Sequence, residues 1–172
     1  MVTLYKLTDE NGQSCEKTQW GPGVTHTASG KGELCGPGWI SAYTHPLLAV
    51  LFNPVHADIV NPTLWRAEAD NIDKSDRGLR VGVTSLTTIE SLPLPVLGNN
   101  QRVAFVMLCA LEVYEDLEFA KWANAQLDSF DQWRETEEEV WLATVAAVQT
   151  VWAAEEKPLD LIAIAEKAIT YS

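Results

Sequence analysis

Three histidines and one cysteine are the side chains that we consider first as metal ligands: His26, His45, His56 and Cys35. Imidazole and thiolate groups hold zinc when three or four of them converge on one point. A pair on one helix is typically four residues apart, so that both side chains share a face. His45 and His56 are 11 residues apart, across a helix and its proline exit at Pro54. The spacing therefore predicts no metal site, and we interpret His45 as a helix-start residue and His56 as a loop residue.

Motifs of nucleophilic or phosphate chemistry are also missing from the sequence. There is no Gly-x-Ser-x-Gly and no cysteine paired with a histidine in a local signature. The glycines of the first 40 residues lie in turns, not in a strand-to-helix phosphate fingerprint. The three cysteines, Cys15, Cys35 and Cys109, are widely spaced and odd in number, which predicts reduced thiols with Cys109 in the core. We expect no cofactor, and the sequence favours a non-enzymatic function.

The segment 34–51 is the place where a site would be built. It contains a Gly/Pro-punctuated loop, a short strand and the start of a helix. The glycines permit close approach of backbones. Thr44 or His45 can cap the helix, and Pro46 suits its first turn.

Four residues around this segment are similar in arrangement to the site of the ADP-ribosyltransferase fold: Tyr5, Ser41, Tyr43 and Glu68. That fold surrounds a nicotinamide dinucleotide with an early-strand Tyr or His, a Ser/Tyr strand that runs into a helix, and a later Glu. The resemblance implies that the aromatic rings stack on nicotinamide and that Glu68 orients a ribose hydroxyl or stabilises an oxocarbenium-like state. Lys6 could take the place of Tyr5. The competing interpretation is that Glu68 is an ordinary solvent-facing strand residue.

A second resemblance covers about residues 3 to 90 and concerns an uncharacterised family of bacteriophage and bacterial proteins. That family opens with a Tyr-Lys-x-Thr-Asp-like strand, here residues 5–9, and later carries a Leu-Cys-x-x-Gly-aromatic signature followed by Pro-Leu-x-Val-Leu, here within 34–51. The family's His and second Cys fall on Ser41 and Tyr43, so its thiol and imidazole chemistry does not carry over. The resemblance implies a phage accessory protein and no particular mechanism.

Charge is distributed unevenly along the chain, whose formal net charge is -12. Residues 1–99 hold 10 acidic and 7 basic side chains, whereas residues 100–172 hold 14 and 5. Direct binding to a nucleic-acid backbone needs clustered Lys and Arg, so we do not expect it. The acidic half is typical of a solvated helix face and also fits a basic protein partner.

Four of the seven tryptophans lie in this acidic half. Large aromatic residues at helical spacing usually belong to a core. About 70 residues of helix must bury all four, so we predict that Trp133, Trp141 and Trp152 face another subunit or a partner. A homodimer through the long helix is the specific prediction.

The first half of the sequence has the pattern of short strands separated by turns. Strands are predicted at 3–8, 24–28, 40–43, 64–69 and 79–87, because apolar residues alternate there or lie between turn residues. One helix is predicted over 45–52, ended by Asn53-Pro54 since the residue before proline is pushed out of the helical region. The Pro-rich segment 91–100 marks a boundary.

The second half changes to helical periodicity. Helices are predicted over 101–114, which is apolar on most sides, 117–127, 131–154 and 159–169. Ser129 with Gln132 resembles a capping box for the long helix.

Together these patterns predict an α+β protein with a small, mostly antiparallel sheet and one helix, followed by a bundle or hairpin of about four helices. Residues 1–99 form the β-rich region, and residues 100–172 form a helical tail packed on it as one compact unit. No run of about 18 apolar residues or signal-peptide start is present, so we expect a cytoplasmic protein. The leading hypothesis is a phage-type accessory protein that binds a protein partner through the acidic Trp-bearing helices or the Gly/Pro-rich loops. The alternative is an ADP-ribosyltransferase-like or nucleotide-binding protein.

Overall fold

A computed structural model describes residues 1–14, 17–128, 137–154 and 158–171. Contacts between residues divide the chain into two compact units, an N-terminal unit of Met1–Pro95 and a C-terminal unit of Val96–Ser172. The division falls inside the Pro-rich segment 91–100. Antiparallel sheets in the first unit and helices in the second confirm the predicted α+β class.

The described strands of the N-terminal unit form three antiparallel sheets. Their bounds are β1 Val2–Thr8, β2 Gln13–Ser14, β3 Thr18–Gln19, β4 Thr25–Thr27, β5 Ile40–Ala42, β6 Thr63–Ala69, β7 Lys74–Ser75, β8 Val81–Val83 and β9 Ser85–Leu92. The largest sheet has the order β1-β6-β9-β4, the second β5-β8-β7, and β2 pairs with β3 as a hairpin. A bridge between Tyr5 and Tyr43 joins the first two sheets, with both backbone N–H···O distances at 2.8 Å.

Apolar residues from both larger sheets meet in one core. Leu4 pairs with Ala67 across β1 and β6, and both lie in a buried cluster with residues of the other strands. The other members of that cluster are Trp20, Ala42, Ala69, Val81, Val83 and Leu86. Strand alternation sends every second side chain into this core and the intervening ones to the opposite face.

Helix α1, Pro46–His56, begins as the sequence predicts. His45 is its N-cap, and the imidazole Nδ1 accepts a hydrogen bond from the Leu47 backbone N–H at 3.3 Å. Pro46 occupies the first turn, where its missing N–H costs nothing.

The predicted end of this helix at Asn53-Pro54 is wrong, since α1 continues through Pro54 to His56. The Asn53 carbonyl accepts from the backbone N–H groups of Ala57 and Asp58. Its side chain exchanges two further hydrogen bonds with the backbone of Ile59, at 2.9 and 3.1 Å. These bonds hold the last turn in place although proline cannot donate one.

The single strand predicted over 79–87 is two strands that belong to different sheets, β8 and β9. The break is at Thr84, whose backbone N–H and side-chain hydroxyl both donate to the Asp73 carboxylate, at 2.8 and 2.9 Å. These bonds lower the pKa of Asp73. Because the Thr84 backbone N–H binds a side chain, the chain leaves one sheet there and enters the other.

The C-terminal unit contains four described helices, α2 Asn99–Val113, α3 Leu117–Leu127, α4 Glu137–Ala153 and α5 Leu161–Ala168. Helix α2 contacts each of the other three, as its apolar circumference predicts. Asp116 and Asp160 cap α3 and α5 by accepting from Phe119 and Ala163. The predicted capping box at Ser129 and Gln132 lies outside the described residues.

Cys109 is fully buried on α2, as the sequence predicts. Burial, with the Glu112 carboxylate as a smaller cause, raises the pKa of its thiol to about 12. The thiol is therefore protonated at neutral pH and packs as a small apolar group.

Candidate functional site

The N-terminal unit encloses a cavity of about 490 Å³ between strand β1, the β2–β3 hairpin, strands β4 and β5, the loop before β5, the end of α1, and Arg80. This volume lies in the range of small-molecule sites. We therefore take this cavity, and not a sequence motif, as the candidate site.

Basic side chains line this cavity although the protein is acidic. Lys6 and Arg80 carry positive charges, and His26 and His56 lie on the same walls. None of the described residues that line the cavity is Asp or Glu. A group of basic side chains in a concave place makes that place more favourable for an anion than the rest of a chain of net charge -12.

Arg80 is the most constrained of these cations, with a side chain only 14% exposed. Its guanidinium Nη2 donates to the Cys35 Sγ. The Asp76 carboxylate lies 3.7 Å from Nε, too far for a hydrogen bond, and the buried Nε has no hydrogen-bond partner in the part of the chain that is described. At 3.7 Å the Asp76 carboxylate still forms an ion pair with the guanidinium, and a buried donor without a hydrogen bond costs about 1–3 kcal/mol.

Tyr43 and His56 form a neutral polar pair beside Arg80. The Tyr43 hydroxyl lies 3.3 Å from the His56 Nδ1, and the two rings stack with their centroids 6.0 Å apart. Burial, helped by the Arg80 charge, lowers the pKa of His56 to about 4. Burial raises the pKa of Tyr43 above its ordinary value. At neutral pH the pair therefore supplies hydrogen-bonding groups without adding charge.

Aromatic surfaces form the other walls. Trp20 is buried, donates through its Nε1 to the Ser14 hydroxyl at 2.8 Å, and packs edge-on against His26 with centroids 4.6 Å apart. The Lys6 ammonium lies 5.4 Å from the Trp20 ring centroid and donates to the Ser41 carbonyl at 2.8 Å. Such side chains present planar apolar area with fixed polar groups beside it.

The loop that carries Cys35 and Trp39 is held by close backbone packing at Gly38. A Cβ at Gly38 would overlap the Lys31 carbonyl oxygen, so a side chain cannot be accommodated there without movement. The Gly38 carbonyl accepts from the Gly30 N–H at 2.8 Å, and the Trp39 indole donates to the Gly32 carbonyl at 2.9 Å. These contacts fix the wall of the cavity that Trp39 forms.

The structure places two of the four predicted pocket residues in the cavity, Ser41 and Tyr43. Tyr5 pairs with Arg66 across β1 and β6. Its side chain therefore lies on the face of the sheet opposite to that of its neighbour Lys6. Lys6, and not Tyr5, lines the cavity. Glu68 is on β6, where its carboxylate forms an ion pair with Arg66 and accepts a hydrogen bond from the Arg66 Nη1 at 2.9 Å. The four predicted residues therefore do not converge on this cavity.

Three of the lining residues were not predicted as site residues from the sequence: Arg80, Trp20 and Trp39. His56 was predicted to lie in a loop. The sequence did offer Lys6 as the alternative to Tyr5, because alternation along a strand puts one or the other of two neighbouring side chains into a site. No local signal marks Arg80, which enters the cavity because β8 pairs with β5. Among the described residues, no group of three His, Cys, Asp or Glu side chains could hold a metal ion.

The predicted interface tryptophans of the C-terminal unit are only partly described. Trp133 lies outside the described residues, and the side chain of Trp141 is outside the described part as well. Trp152 is 55% exposed on α4. No described helix is long and apolar enough to cross a membrane.

No family model, no curated protein and no solved structure matches this chain.

Proposed function

We propose that the N-terminal unit binds a small organic anion that carries a planar ring, with nucleotides as the ligand class. The observation that carries this proposal is that Lys6, Arg80, His26 and His56 all line the same cavity, without an acidic side chain among the described lining residues. The aromatic side chains on the same walls provide area for the ring.

In this proposal Arg80 binds the anionic group. A guanidinium matches a phosphate or carboxylate in two parallel hydrogen bonds, and burial of Arg80 strengthens the attraction. The Tyr43–His56 pair adds neutral hydrogen-bonding groups beside it.

Binding, rather than group transfer, is what these residues support. The transferase resemblance needs a carboxylate beside the ligand, and Glu68 is instead paired with Arg66 on β6. We therefore place the ligand near Ser41 and Tyr43, and not between Tyr5 and Glu68.

Calorimetry with a nucleoside monophosphate, a nucleoside diphosphate and the free nucleoside tests this proposal. We expect the two nucleotides to bind and Arg80→Gln to weaken them by about 10- to 100-fold, the worth of a hydrogen bond to a charged group. Arg66→Gln, which removes a cation outside the cavity, is the matched control and should leave affinity unchanged. Circular dichroism of each variant, with Arg80→Lys as the conservative substitution, separates a binding loss from unfolding. Absence of nucleotide binding, or equal loss in the Arg66 and Arg80 variants, would overturn the proposal.

The second function that we propose belongs to the C-terminal unit, and it is binding of a basic protein partner in the cytoplasm. Exposure of large apolar side chains on this acidic unit supports it, with Leu117 at 75%, Trp122 at 50% and Trp152 at 55%. Self-association through the long helix as a homodimer is the competing form of the same proposal, and sedimentation velocity decides between them. This proposal includes a relationship of the chain to phage accessory proteins.

A further inference from the structure

A compact apolar surface lies where helix α2 ends and α3 begins, and we name it the α3 patch: Tyr114, Leu117, Phe119 and Trp122. The Tyr114 and Phe119 rings meet edge to face with centroids 6.0 Å apart, and the Phe119 and Trp122 rings are also 6.0 Å apart. Tyr114 is 49% exposed. The ring contacts make Tyr114, Phe119 and Trp122 one continuous surface, and Leu117 is an exposed apolar residue at the start of the same helix.

Carboxylate residues alternate with the members of the α3 patch along the chain. Glu115, Asp116 and Glu118 are exposed between its apolar members. Asp116 is occupied as the cap of α3, at 2.8 Å from the Phe119 N–H, and Glu118 binds Lys121 at 2.8 Å. Lys121 is the only basic residue from 112 to 128, so the surroundings of the patch are net negative.

We infer that the α3 patch is the docking surface for an arginine-bearing basic segment of a partner protein. This rests on the second proposed function and names its surface and the chemistry of its partner. A guanidinium stacks on the faces of Trp and Tyr and pairs with a carboxylate, while its aliphatic stem covers apolar area such as Leu117. The exposed rings and the carboxylates next to them in the sequence satisfy the first two requirements, and the exposed Leu117 offers the third.

Charge also decides against two other occupants of the α3 patch. A phosphate-bearing partner would meet Glu115 and Glu118 as like charges. A second copy of the chain would bring the same acidic patch against this one, and like-charge juxtaposition opposes that contact. A basic segment is the occupant whose charge complements the patch.

Fluorescence anisotropy with a labelled peptide of alternating arginine and leucine tests the inference at physiological ionic strength. We expect Trp122→Ala to weaken peptide binding by about tenfold or more, as truncation of an interface anchor does. Leu142→Ala is the control, because Leu142 is an apolar side chain of similar exposure, 54%, on α4 of the same acidic unit, and its effect should be below about twofold. A peptide with lysine in place of arginine should bind more weakly, since lysine cannot stack or pair in two bonds.

Each outcome of this experiment has a distinct meaning. Equal losses in the Trp122 and Leu142 variants, or no loss in either, would overturn the α3 patch as the docking surface while leaving binding of basic partners in place. Failure of the wild-type protein to bind either basic peptide would overturn the proposed partner binding itself. Circular dichroism spectra of both variants establish that the helices are intact.

Discussion

The cavity of the N-terminal unit and the α3 patch of the C-terminal unit are built on opposite principles. The cavity is concave, its charged groups are basic, and its most constrained cation is largely buried. The α3 patch is exposed at the end of α2 and on α3, and carboxylate residues lie between its members in the sequence. The net charge of a chain therefore says little about which ligand each of its surfaces favours, because local geometry decides which charges converge.

The two surfaces also differ in how their aromatic side chains are used. Trp20 and Tyr43 are buried and hydrogen-bonded, so their orientation is fixed before any ligand arrives. Trp122 is half exposed and contacts the Phe119 ring alone among the described ring contacts. Side chains of fixed orientation favour selection of a small ligand by its shape. Exposed rings favour a larger partner whose own apolar groups cover them.

The largest expected effect is the loss of stability in Phe52→Ala, which tests whether the cavity depends on the core beneath it. Phe52 is fully buried and its ring lies 5.4 Å from that of His56. We expect the free energy of unfolding to fall by about 3–5 kcal/mol, from lost burial and the space left behind. Urea denaturation measures it, and Val96→Ala, at a 93% exposed position, should change the value by less than about 0.5 kcal/mol.

The same variant also tests whether the cavity and the α3 patch are separate binding sites. Nucleotide binding by the cavity should weaken in Phe52→Ala, whereas binding of the arginine peptide should not. Loss of both activities while the protein is still folded would show that the two surfaces are not separate sites.

A smaller effect concerns pH and belongs to the cavity. The pKa of His56 is about 4 in the folded chain and about 6.5 when unfolded. Between these values the unfolded chain binds a proton that the folded chain does not, so the free energy of unfolding falls as the pH drops from about 7 toward 4. His56→Gln removes this contribution and should lose less stability over the same interval.

Urea titrations of both proteins at several pH values between 7 and 4 check this expectation. Carboxylates that titrate over the same range contribute equally to both, so the difference between the curves isolates His56. Parallel curves for the two proteins would contradict the burial of a neutral imidazole at this place.

The smallest expected effect is that of Glu68→Gln, which separates the cavity from the site that the transferase resemblance implies. Only an exposed ion pair with Arg66 is lost, and such pairs contribute about 0–1 kcal/mol. We expect nearly unchanged stability and unchanged nucleotide affinity in calorimetry. A tenfold loss of nucleotide affinity would move the ligand away from Arg80 and toward Glu68.

Several features of the fold were predictable because they depend on neighbours in the sequence. The start of α1 follows from His45 and Pro46, whose capping and fixed backbone angle act within one turn. Helix α3, Leu117–Leu127, has the predicted bounds, with Asp116 as its cap. Burial of Cys109 follows from an apolar pattern that continues round α2.

The errors arise where particular hydrogen bonds outweigh the preference of the residue type. Pro54 should end α1, but hydrogen bonds from Asn53 to residues 57–59 hold the next turn. The run 79–87 has the composition of one strand, and the Asp73 carboxylate divides it at Thr84. The Asn53 bonds are made within six positions of the helix end, whereas Asp73 is 11 positions from Thr84 and nothing in the residues around that break marks it as the partner.

The sequence by itself determined the α+β class, the periodicity of the helices and the excess of acid in the second half, since these are properties of composition and of neighbours along the chain. Only the tertiary structure decided that Lys6 and not Tyr5 enters the cavity, and that Arg80 joins Tyr43 and His56 there. The physical reason is strand pairing. Register selects which of two alternating side chains faces the cavity, and pairing of β5 with β8 brings together residues that are nearly 40 positions apart.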